Sequence, residues 1–202
     1  MKKFLADWWS VLALLIVMLL ARLFVFSPIL VEGHSMDPTL ENGERMIVAK
    51  LTKISRFDMV ISKELTPVEN GKTEKKMIIK RVIGMPGDTI EYKNDVLYVN
   101  GKKTAEPYLD AYKKKFKQDK LQKTYKYNAY FQQIAKTAPA FTVDASGNKN
   151  FTVTVPKGQY YLMGDDRLVS KDSRMIGTVS TKNIEGEPKI AFWPLNRLRI
   201  IM

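Results

Sequence analysis

The first feature of the chain is an apolar run near its N-terminus. Only Ser10 and Arg22 interrupt the apolar character of residues 8–26, and Pro28 follows as a helix breaker. A helix over this run would be about 28 Å long, close to the ~30 Å hydrocarbon core of a bilayer. The long side chain of Arg22, one turn from the outer end, could reach the headgroups. The pattern therefore predicts a transmembrane anchor over residues 8–26.

The residues that flank this run predict its orientation. Lys2 and Lys3 precede it, and positive residues favour the cytoplasmic side of a membrane. Residues 1–7 are then a cytoplasmic tail, and residues 27–202 form an extracytoplasmic domain. A cleaved signal peptide is the alternative, but no Ala-x-Ala motif follows the run. The sequence thus favours an uncleaved, single-pass anchor.

The rest of the chain alternates short apolar runs with turn residues, and no alternation of strands with helices is visible. We therefore expect a mainly β fold, in which an N-terminal transmembrane helix precedes an all-β extracytoplasmic domain. Strands are predicted over residues 45–49, 57–61, 77–84, 89–92, 96–99, 151–155, 159–163, 177–180 and 189–193. The fourth and fifth of these runs form a predicted hairpin.

One segment departs from the β pattern. Residues 111–136 carry eight lysines and one acidic residue, so +7 of the net charge of +12 lies there. We expect a small helical, lysine-rich insertion at about residues 111–150. A solvated lysine face is the simpler interpretation of this charge, and attraction to anionic lipid or wall polymer would extend it. The apolar positions at helical spacing are Leu109, Tyr112, Phe116, Tyr127, Tyr130, Phe131 and Ile134.

The composition excludes several kinds of chemistry. The 202 residues include no cysteine and one histidine, which rules out disulfides, thiolate nucleophiles, Cys-ligated zinc and multi-histidine metal sites. We expect neither a metal nor a cofactor. The chain is basic, but no nucleic-acid reader motif accompanies the charge, so we expect no nucleic-acid partner. The nucleophile chemistries that remain are Ser or Thr with Lys, and carboxylate pairs.

Two residues in the first half of the chain could form a Ser/Lys pair. Ser35 lies a few residues beyond the predicted membrane exit. Its neighbour His34 is a poor base for it, because adjacent side chains of an extended segment point to opposite faces. Lys80 lies inside the apolar run 77–83, where burial would lower its pKa from about 10.4 to about 8. The alternative is an edge-strand lysine that faces solvent.

A third segment, residues 164–177, is dense in Asp, Arg and Ser after an apolar strand. Taken alone, such a segment is typical of a loop with internal ion pairs. Asp166 adds a further negative charge to this loop, and the sequence gives no reason for it.

Together, the three segments resemble the type I signal peptidases, also called leader peptidases. The stretch Ser35-Met36-x-Pro38-Thr39 is similar to the nucleophile motif of that family. Residues 80–88 (K-R-V-I-G-x-P-G-D) are similar to its general-base motif, and residues 164–177 (G-D-x-R-x-x-S-x-D-S-R-x-x-G) to its third box. The order, the spacing and the single N-terminal anchor agree with the family. The resemblance covers most of the chain but not residues 111–150.

The resemblance implies a serine endopeptidase of the bacterial cell membrane that removes signal peptides from exported preproteins through an acyl-enzyme. Ser35 would be the nucleophile, Lys80 the general base, and Ser170 the residue that orients the lysine. The backbone N–H of Ser35 would belong to the oxyanion hole, whereas Gly33 offers no side chain to it. Four residues match supporting positions, with Asp172 and Arg174 as an ion pair and Asp165 and Arg167 holding the loop.

The family also implies the substrate. It would be a preprotein with small residues at −1 and −3, and the partners would be such preproteins and the lipid bilayer. Shallow apolar pockets would exclude larger side chains. By position, Met36 and Ile79 are the expected wall residues.

Three other functions compete with this interpretation. A membrane-anchored assembly factor or chaperone for exported or pilus subunits would share the β fold but lack the dyad, so Ser35 and Lys80 count against it. A self-cleaving Ser-Lys repressor would be cytoplasmic and carry a DNA-binding domain. A plain basic membrane-surface protein would leave the three motifs unexplained.

Overall fold

The fold was obtained as a computed structural model, which describes residues 2–67 and 73–201. Helix α1 covers Lys2–Phe24, so it begins and ends earlier than the predicted anchor over residues 8–26. Across the described ranges, no helix combines the length and the apolarity that crossing a bilayer requires. The transmembrane anchor is therefore not confirmed and stays a prediction.

Strands account for most of the regular structure that follows α1, which confirms the mainly β fold. In chain order they are β1 (Phe26–Leu30), β2 (Arg45–Ala49), β3 (Met59–Pro67), β4 (Thr73–Gly84), β5 (Thr89–Lys93), β6 (Val96–Val99), β7 (Lys102–Thr104), β8 (Asn150–Thr154), β9 (Gln159–Met163), β10 (Val179–Ser180), β11 (Ile184–Trp193) and β12 (Arg199–Ile200). Every predicted strand overlaps one of these. The sequence pattern missed three short ones, β1, β7 and β12.

The larger sheet has the order β1-β2-β11-β3-β4-β9-β10, with β12 beside β11. All of its pairings are antiparallel. Strand β1 is the edge strand beside β2, where Pro28 is tolerated because an edge strand need not donate every ladder hydrogen bond. Strand β4 lies in the interior of the sheet, between β3 and β9. This position matters because β4 carries Lys80.

The smaller sheet has the order β7-β6-β5-β8. Its β5–β6 pair is the predicted hairpin, with Ile90 opposite Val99. Asn94 and Asp95 at the turn have φ of 48° and 67°, the left-handed conformation that a two-residue hairpin turn requires. A core cluster joins β4, β5, β6 and β9 and consists of Ile83, Ile90, Tyr92, Leu97, Val99, Val155, Tyr161 and Met163.

The predicted insertion lies between β7 and β8 and contains two helices, α2 (Asp110–Asp119) and α3 (Ala129–Thr137). Asn128 begins α3 by accepting the backbone N–H groups of Tyr130 and Phe131. The two helices have a core of their own, which consists of Leu109, Tyr112, Phe116, Leu121, Tyr125, Ala135, Phe141 and Leu168. The last of these belongs to the segment 164–177, so the insertion packs directly on that segment.

The helical spacing predicted the interior of the insertion only in part. Leu109, Tyr112 and Phe116 are buried as expected. Tyr127 and Tyr130 also fall at helical spacing, but they are 53% and 70% exposed and do not belong to the interior. The chain turns between the two helices, at residues 120–128, and this turn breaks the helical period. The interior is filled instead by Leu121 and Tyr125 from that turn and by Phe141 from the chain after α3.

Candidate active site

Lys80 is the central residue of the site. Its side chain is 4% exposed on the interior strand β4, opposite Val60 of β3. The solvent-facing edge-strand alternative is therefore wrong. A lysine in such a place loses hydration of its ammonium group, and the free-energy cost favours the neutral amine.

Ser35 lies on the loop between β1 and β2, which we call the serine loop (residues 31–44). Lys80 Nζ is 2.6 Å from Ser35 Oγ and donates a hydrogen bond to it. Gly33 has φ of +88°, a value that favours glycine, and its N–H donates to Asn42 Oδ1 at 2.9 Å. The structure thus brings together the serine and the lysine that the sequence predicted as a pair.

The environment of Lys80 shifts its titration into the physiological range. Burial lowers its pKa from the usual 10.5 to about 8, while the negative charges of Asp172 and Glu64 oppose the drop. At pH 7 about a tenth of the molecules would then carry the neutral amine. A neutral amine beside a serine hydroxyl can accept its proton, which is the requirement for a general base.

Asp172 and Arg174 form the predicted ion pair. Arg174 Nε and Nη2 each lie 2.8 Å from a different carboxylate oxygen of Asp172. Burial alone would raise the pKa of Asp172, but the Arg174 guanidinium and the N–H of Gly164 hold it below the usual value. Asp172 also begins the short helix α4 (Ser173–Ile176) by accepting the N–H of Arg174.

Ser170 and Gly164 come close to the backbone of Ser35. A Cβ on Gly164 would meet both Ser170 Oγ and the carbonyl oxygen of Ser35, so only glycine fits there. Ser170 Oγ is buried and has no hydrogen-bond partner among the described residues. The predicted bond from Ser170 to Lys80 is thus not formed in this structure, although Ser170 lies beside the nucleophile.

A second buried ion pair, which the sequence analysis missed, supports the serine loop. Arg81 Nε and Nη2 donate to Asp165 at 2.8 Å and 2.5 Å. Thr39 Oγ1 of the serine loop donates to the same carboxylate at 2.5 Å. Asp165, expected to support the segment 164–177, thus bonds Arg81 of β4 and Thr39 of the serine loop.

Arg167, also expected to support the segment 164–177, bonds Tyr92 of β5 and two residues that follow β7. Its guanidinium donates to Glu106 at 2.5 Å, to Tyr92 at 2.6 Å and to Tyr108 at 3.2 Å. Burial opposes ionisation of Glu106, but the charges of Arg167 and Lys113 lower its pKa. The sequence analysis missed Glu106, which lies 61 positions from Arg167.

Asp166, whose charge the sequence analysis left unexplained, is bound by a residue of the insertion. The Tyr125 hydroxyl donates to Asp166 Oδ1 at 2.6 Å. Burial raises the pKa of Asp166 to about 7, and hydrogen bonds from Tyr125 and from the backbone of Leu168 and Val169 oppose the rise. The backbone N–H of Asp166 donates to the carbonyl of Ser35 at 3.1 Å.

The remaining candidates lie further from the chemistry. His34 Nδ1 lies 3.0 Å from Asp37 Oδ2, which agrees with a structural role and not with that of a base. Met36 is 2% exposed in a core cluster, and the half-buried Ile79 packs against the same cluster, so a pocket lined by these two residues is not confirmed. No group of three or more His, Asp or Glu side chains that could hold a metal ion occurs within residues 2–67 and 73–201.

Comparisons with known proteins point to one family. Residues 5–193 match the family described as Signal peptidase, peptidase S26. A signal peptidase I of Streptococcus pneumoniae (strain ATCC BAA-255 / R6) is 52% identical over 204 residues, which cover 98% of this chain and 97% of that protein. Signal peptidase I T of Bacillus subtilis (strain 168) is 39% identical over 199 residues, which cover 96% of this chain and 88% of that protein.

A crystal structure of a signal peptidase I from Enterococcus faecalis V583 is 30% identical, with a TM-score of 0.44, over 67% of this chain and 97% of that one. The family match spans most of the chain, and the pneumococcal relative aligns over nearly all of it. The chain therefore belongs to the signal peptidase family, peptidase S26, and is a serine endopeptidase of the signal peptidase I type.

Proposed function

We propose that this enzyme removes N-terminal signal peptides from exported preproteins, with Ser35 as nucleophile and Lys80 as general base. The observation that carries the proposal is the 2.6 Å hydrogen bond between Lys80 Nζ and Ser35 Oγ. Burial of Lys80 supports it further, since a lysine with a pKa of about 8 can act as a base near neutral pH.

In the acylation step, the neutral amine of Lys80 accepts the hydroxyl proton of Ser35 while Oγ attacks the scissile carbonyl carbon. The new C–O bond forms as the carbonyl π electrons move to oxygen and give a tetrahedral oxyanion. When the tetrahedral oxyanion collapses, the C–N bond breaks, and the Lys80 ammonium gives its proton to the leaving amine. The mature protein leaves with a free N-terminus, and the signal peptide stays as an ester on Ser35.

In the deacylation step, water replaces the amine. Lys80, neutral again, accepts a proton from the water as its oxygen attacks the ester carbonyl. Collapse of the second oxyanion breaks the C–O bond, and the proton returns to Ser35 Oγ. The signal peptide is released with a free carboxylate, and the dyad is restored.

The oxyanion would be stabilised by the backbone N–H of Ser35. The hydrogen bond from Asp166 N–H holds the peptide on the other side of the Ser35 Cα and so restrains the backbone at the nucleophile. Gly33 adds no side-chain donor. Ser170 would orient the Lys80 amine after a change of its χ1 angle, and its burial beside Gly164 and the Ser35 carbonyl supports that role.

The proposed substrate has small residues at −1 and −3, typically Ala-x-Ala. We also propose that α1 holds the enzyme at the bacterial membrane, with the catalytic domain outside. Its apolar side chains support this, since Trp8, Trp9 and Leu14 are each more than half exposed. Alkaline carbonate extraction of membranes and N-terminal sequencing of the extracted protein would test the anchor.

The test of the chemistry is cleavage of an Ala-x-Ala preprotein by the full chain in detergent. Wild type should cut after the −1 alanine, and Ser35→Ala and Lys80→Met should lower kcat by at least about 10³-fold. Ser146→Ala and Lys149→Met, in an exposed loop far along the chain, are matched controls that should cut at the wild-type rate.

Two results would reject the proposal. One is equal cleavage by the wild type and by folded Ser35→Ala. The other is an inert wild type on several preproteins, which would favour the assembly-factor alternative instead.

A further inference from the structure

The helical insertion contacts the segment that carries the nucleophile. We propose that the insertion is a positioning element for Ser35 and that Tyr125 is the residue through which it acts. This inference rests on the proposed role of Ser35 as nucleophile. It assigns a catalytic purpose to a part of the chain that carries none of the three signal peptidase motifs.

The first link runs from the insertion to the segment 164–177. Tyr125 lies in the turn between α2 and α3, and its ring is buried in the core of the insertion. Its hydroxyl donates to Asp166 Oδ1 at 2.6 Å. The other oxygen of that buried carboxylate has no hydrogen-bond partner among the described residues. Among the described residues, Tyr125 is the side chain that donates to this carboxylate, alongside backbone hydrogen bonds from Leu168 and Val169.

The second link runs from Asp166 to the nucleophile. The N–H of Asp166 donates to the carbonyl of Ser35 at 3.1 Å. The carbonyl of Asp166 in turn accepts the N–H of Ser170 at 3.0 Å. The backbone of Asp166 thus binds the backbones of both Ser35 and Ser170. Tyr125 in turn binds the side chain of Asp166.

A second contact ties the insertion to the other side of the nucleophile. The ring of His34 lies 4.9 Å from that of Tyr127 and 6.0 Å from that of Phe131, measured between centroids. Phe131 also packs edge-on against Tyr125 at 5.7 Å. The insertion therefore contacts the residue before Ser35 directly and the Ser35 carbonyl through Asp166.

These contacts matter because the serine loop is not part of a sheet at Ser35, whereas Lys80 is held in an interior strand. The distance and angle between Oγ and Nζ thus depend on what holds the loop. Attack on a carbonyl needs the reacting atoms aligned, and a misplacement of about 1 Å can cost about 100-fold in rate. Loss of the Tyr125 hydroxyl should allow Ser35 Oγ to move by less than about 1 Å. This should lower the rate of the chemical step without changing the substrate-binding surface.

The experiment compares single variants of the full chain in detergent, with a soluble Ala-x-Ala peptide as substrate. Tyr125→Phe keeps the ring and its packing and removes the hydroxyl, so its fold should be retained. We expect kcat to fall by between about 5-fold and 50-fold, with KM within about twofold of wild type. Tyr130→Phe is the matched control, because Tyr130 is 70% exposed on the same insertion, and its kinetics should equal those of wild type.

A double-mutant cycle separates positioning from a general loss of structure. Asp166→Ala removes the acceptor of the Tyr125 hydroxyl and should lower kcat by a similar factor. If both act through one hydrogen bond, then Tyr125→Phe combined with Asp166→Ala should be no slower than Asp166→Ala alone. All assays are run well below the melting temperature of each variant, so that kcat describes folded enzyme.

An unchanged kcat for Tyr125→Phe, or losses in the two single variants that multiply in the double variant, would overturn the inference. So would an effect confined to KM. These results differ from failure of the proposed function itself, in which Ser35→Ala would cleave as well as wild type. If Ser35→Ala is inactive and Tyr125→Phe is fully active, only the role of the insertion is rejected.

Discussion

Arg81 donates hydrogen bonds from two nitrogens to the carboxylate of Asp165, and Arg81 directly follows Lys80 in β4. Both side chains of the pair are nearly completely buried. Since Asp165 also accepts the hydroxyl of Thr39, the pair joins the strand of the base to the loop of the nucleophile. The position of Ser35 relative to Lys80 thus depends on the Arg81–Asp165 ion pair, which lies next to the candidate catalytic residues.

Removing one partner of this pair should cost stability. Asp165→Leu leaves a buried guanidinium without its counter-charge, which should lower the free energy of unfolding by about 3–5 kcal/mol. Urea denaturation monitored by tryptophan fluorescence measures it. Glu185→Leu is the control, because the Lys63–Glu185 pair is partly exposed and should cost less than about 1 kcal/mol. Equal losses in the two variants would show that the Arg81–Asp165 pair does not stabilise the fold.

The pH dependence of cleavage should report the pKa of Lys80. Because the neutral amine is the active form, kcat/KM should rise about tenfold per pH unit below pH 8 and level off above it. The charge of Glu64 raises the pKa of Lys80, so Glu64→Gln should shift the rising limb to lower pH. Glu185→Gln, which changes a neighbouring ion pair, should leave the limb in place. A shift to higher pH in Glu64→Gln would contradict the assigned electrostatics.

Lys80→Met should be inactive but more stable than wild type at pH 7. Below pH 8 the folded wild type carries a buried charge that the unfolded chain carries in water. The drop in pKa from 10.5 to about 8 corresponds to a stability cost of up to about 3 kcal/mol. That cost falls as the pH rises from 8 to 10.5, because the unfolded state then also loses its proton. The stability gain of Lys80→Met should therefore be largest below pH 8 and shrink towards pH 10.5, as urea titrations at several pH values would show.

Asp166→Asn should show the opposite trend with pH. Burial raises the pKa of Asp166 from 3.8 to about 7, so the folded state binds the proton more tightly than the unfolded state. The ionised form costs stability progressively as the pH rises from 3.8 to 7, up to about 4 kcal/mol above pH 7. The amide keeps an acceptor for Tyr125 and carries no charge. Its stability gain should thus be near zero at pH 4 and largest above pH 7, and a gain that is the same at both pH values would exclude the assigned burial cost.

Gly164→Ala should impair both the fold and the activity. The added Cβ would overlap both Ser170 Oγ and the Ser35 carbonyl oxygen, so the backbone of the nucleophile must move. We expect kcat to fall by about 100-fold, measured on protein shown to be folded by circular dichroism. Gly147→Asn in an exposed turn is the control, since Asn tolerates the positive φ there. Wild-type kcat in Gly164→Ala would mean that the loop can relax without moving Ser35.

The sequence predicted those parts of the site that short motifs encode. Ser35 and Lys80 each lie in a local pattern, and the Asp172–Arg174 pair spans two positions. The contacts Arg81–Asp165 and Tyr125–Asp166 span 84 and 41 positions, and no periodicity links such distant residues. These contacts depend on how the sheets and the insertion pack together, and local sequence patterns do not predict that packing.

The position of β4 has a consequence for how the enzyme fails on heating. Lys80 lies on a strand that is hydrogen-bonded on both sides, so its amide should exchange with solvent deuterium only when the whole domain unfolds. Ser35 lies on a loop outside any strand, and a hydrogen bond from Asp166 holds its carbonyl. Because loops open at a lower free energy than interior strands, we expect this bond to break before the sheet unfolds. The protein can therefore lose activity by a local, reversible opening while its β domain remains intact, and cooling should restore the activity without any refolding of the sheet.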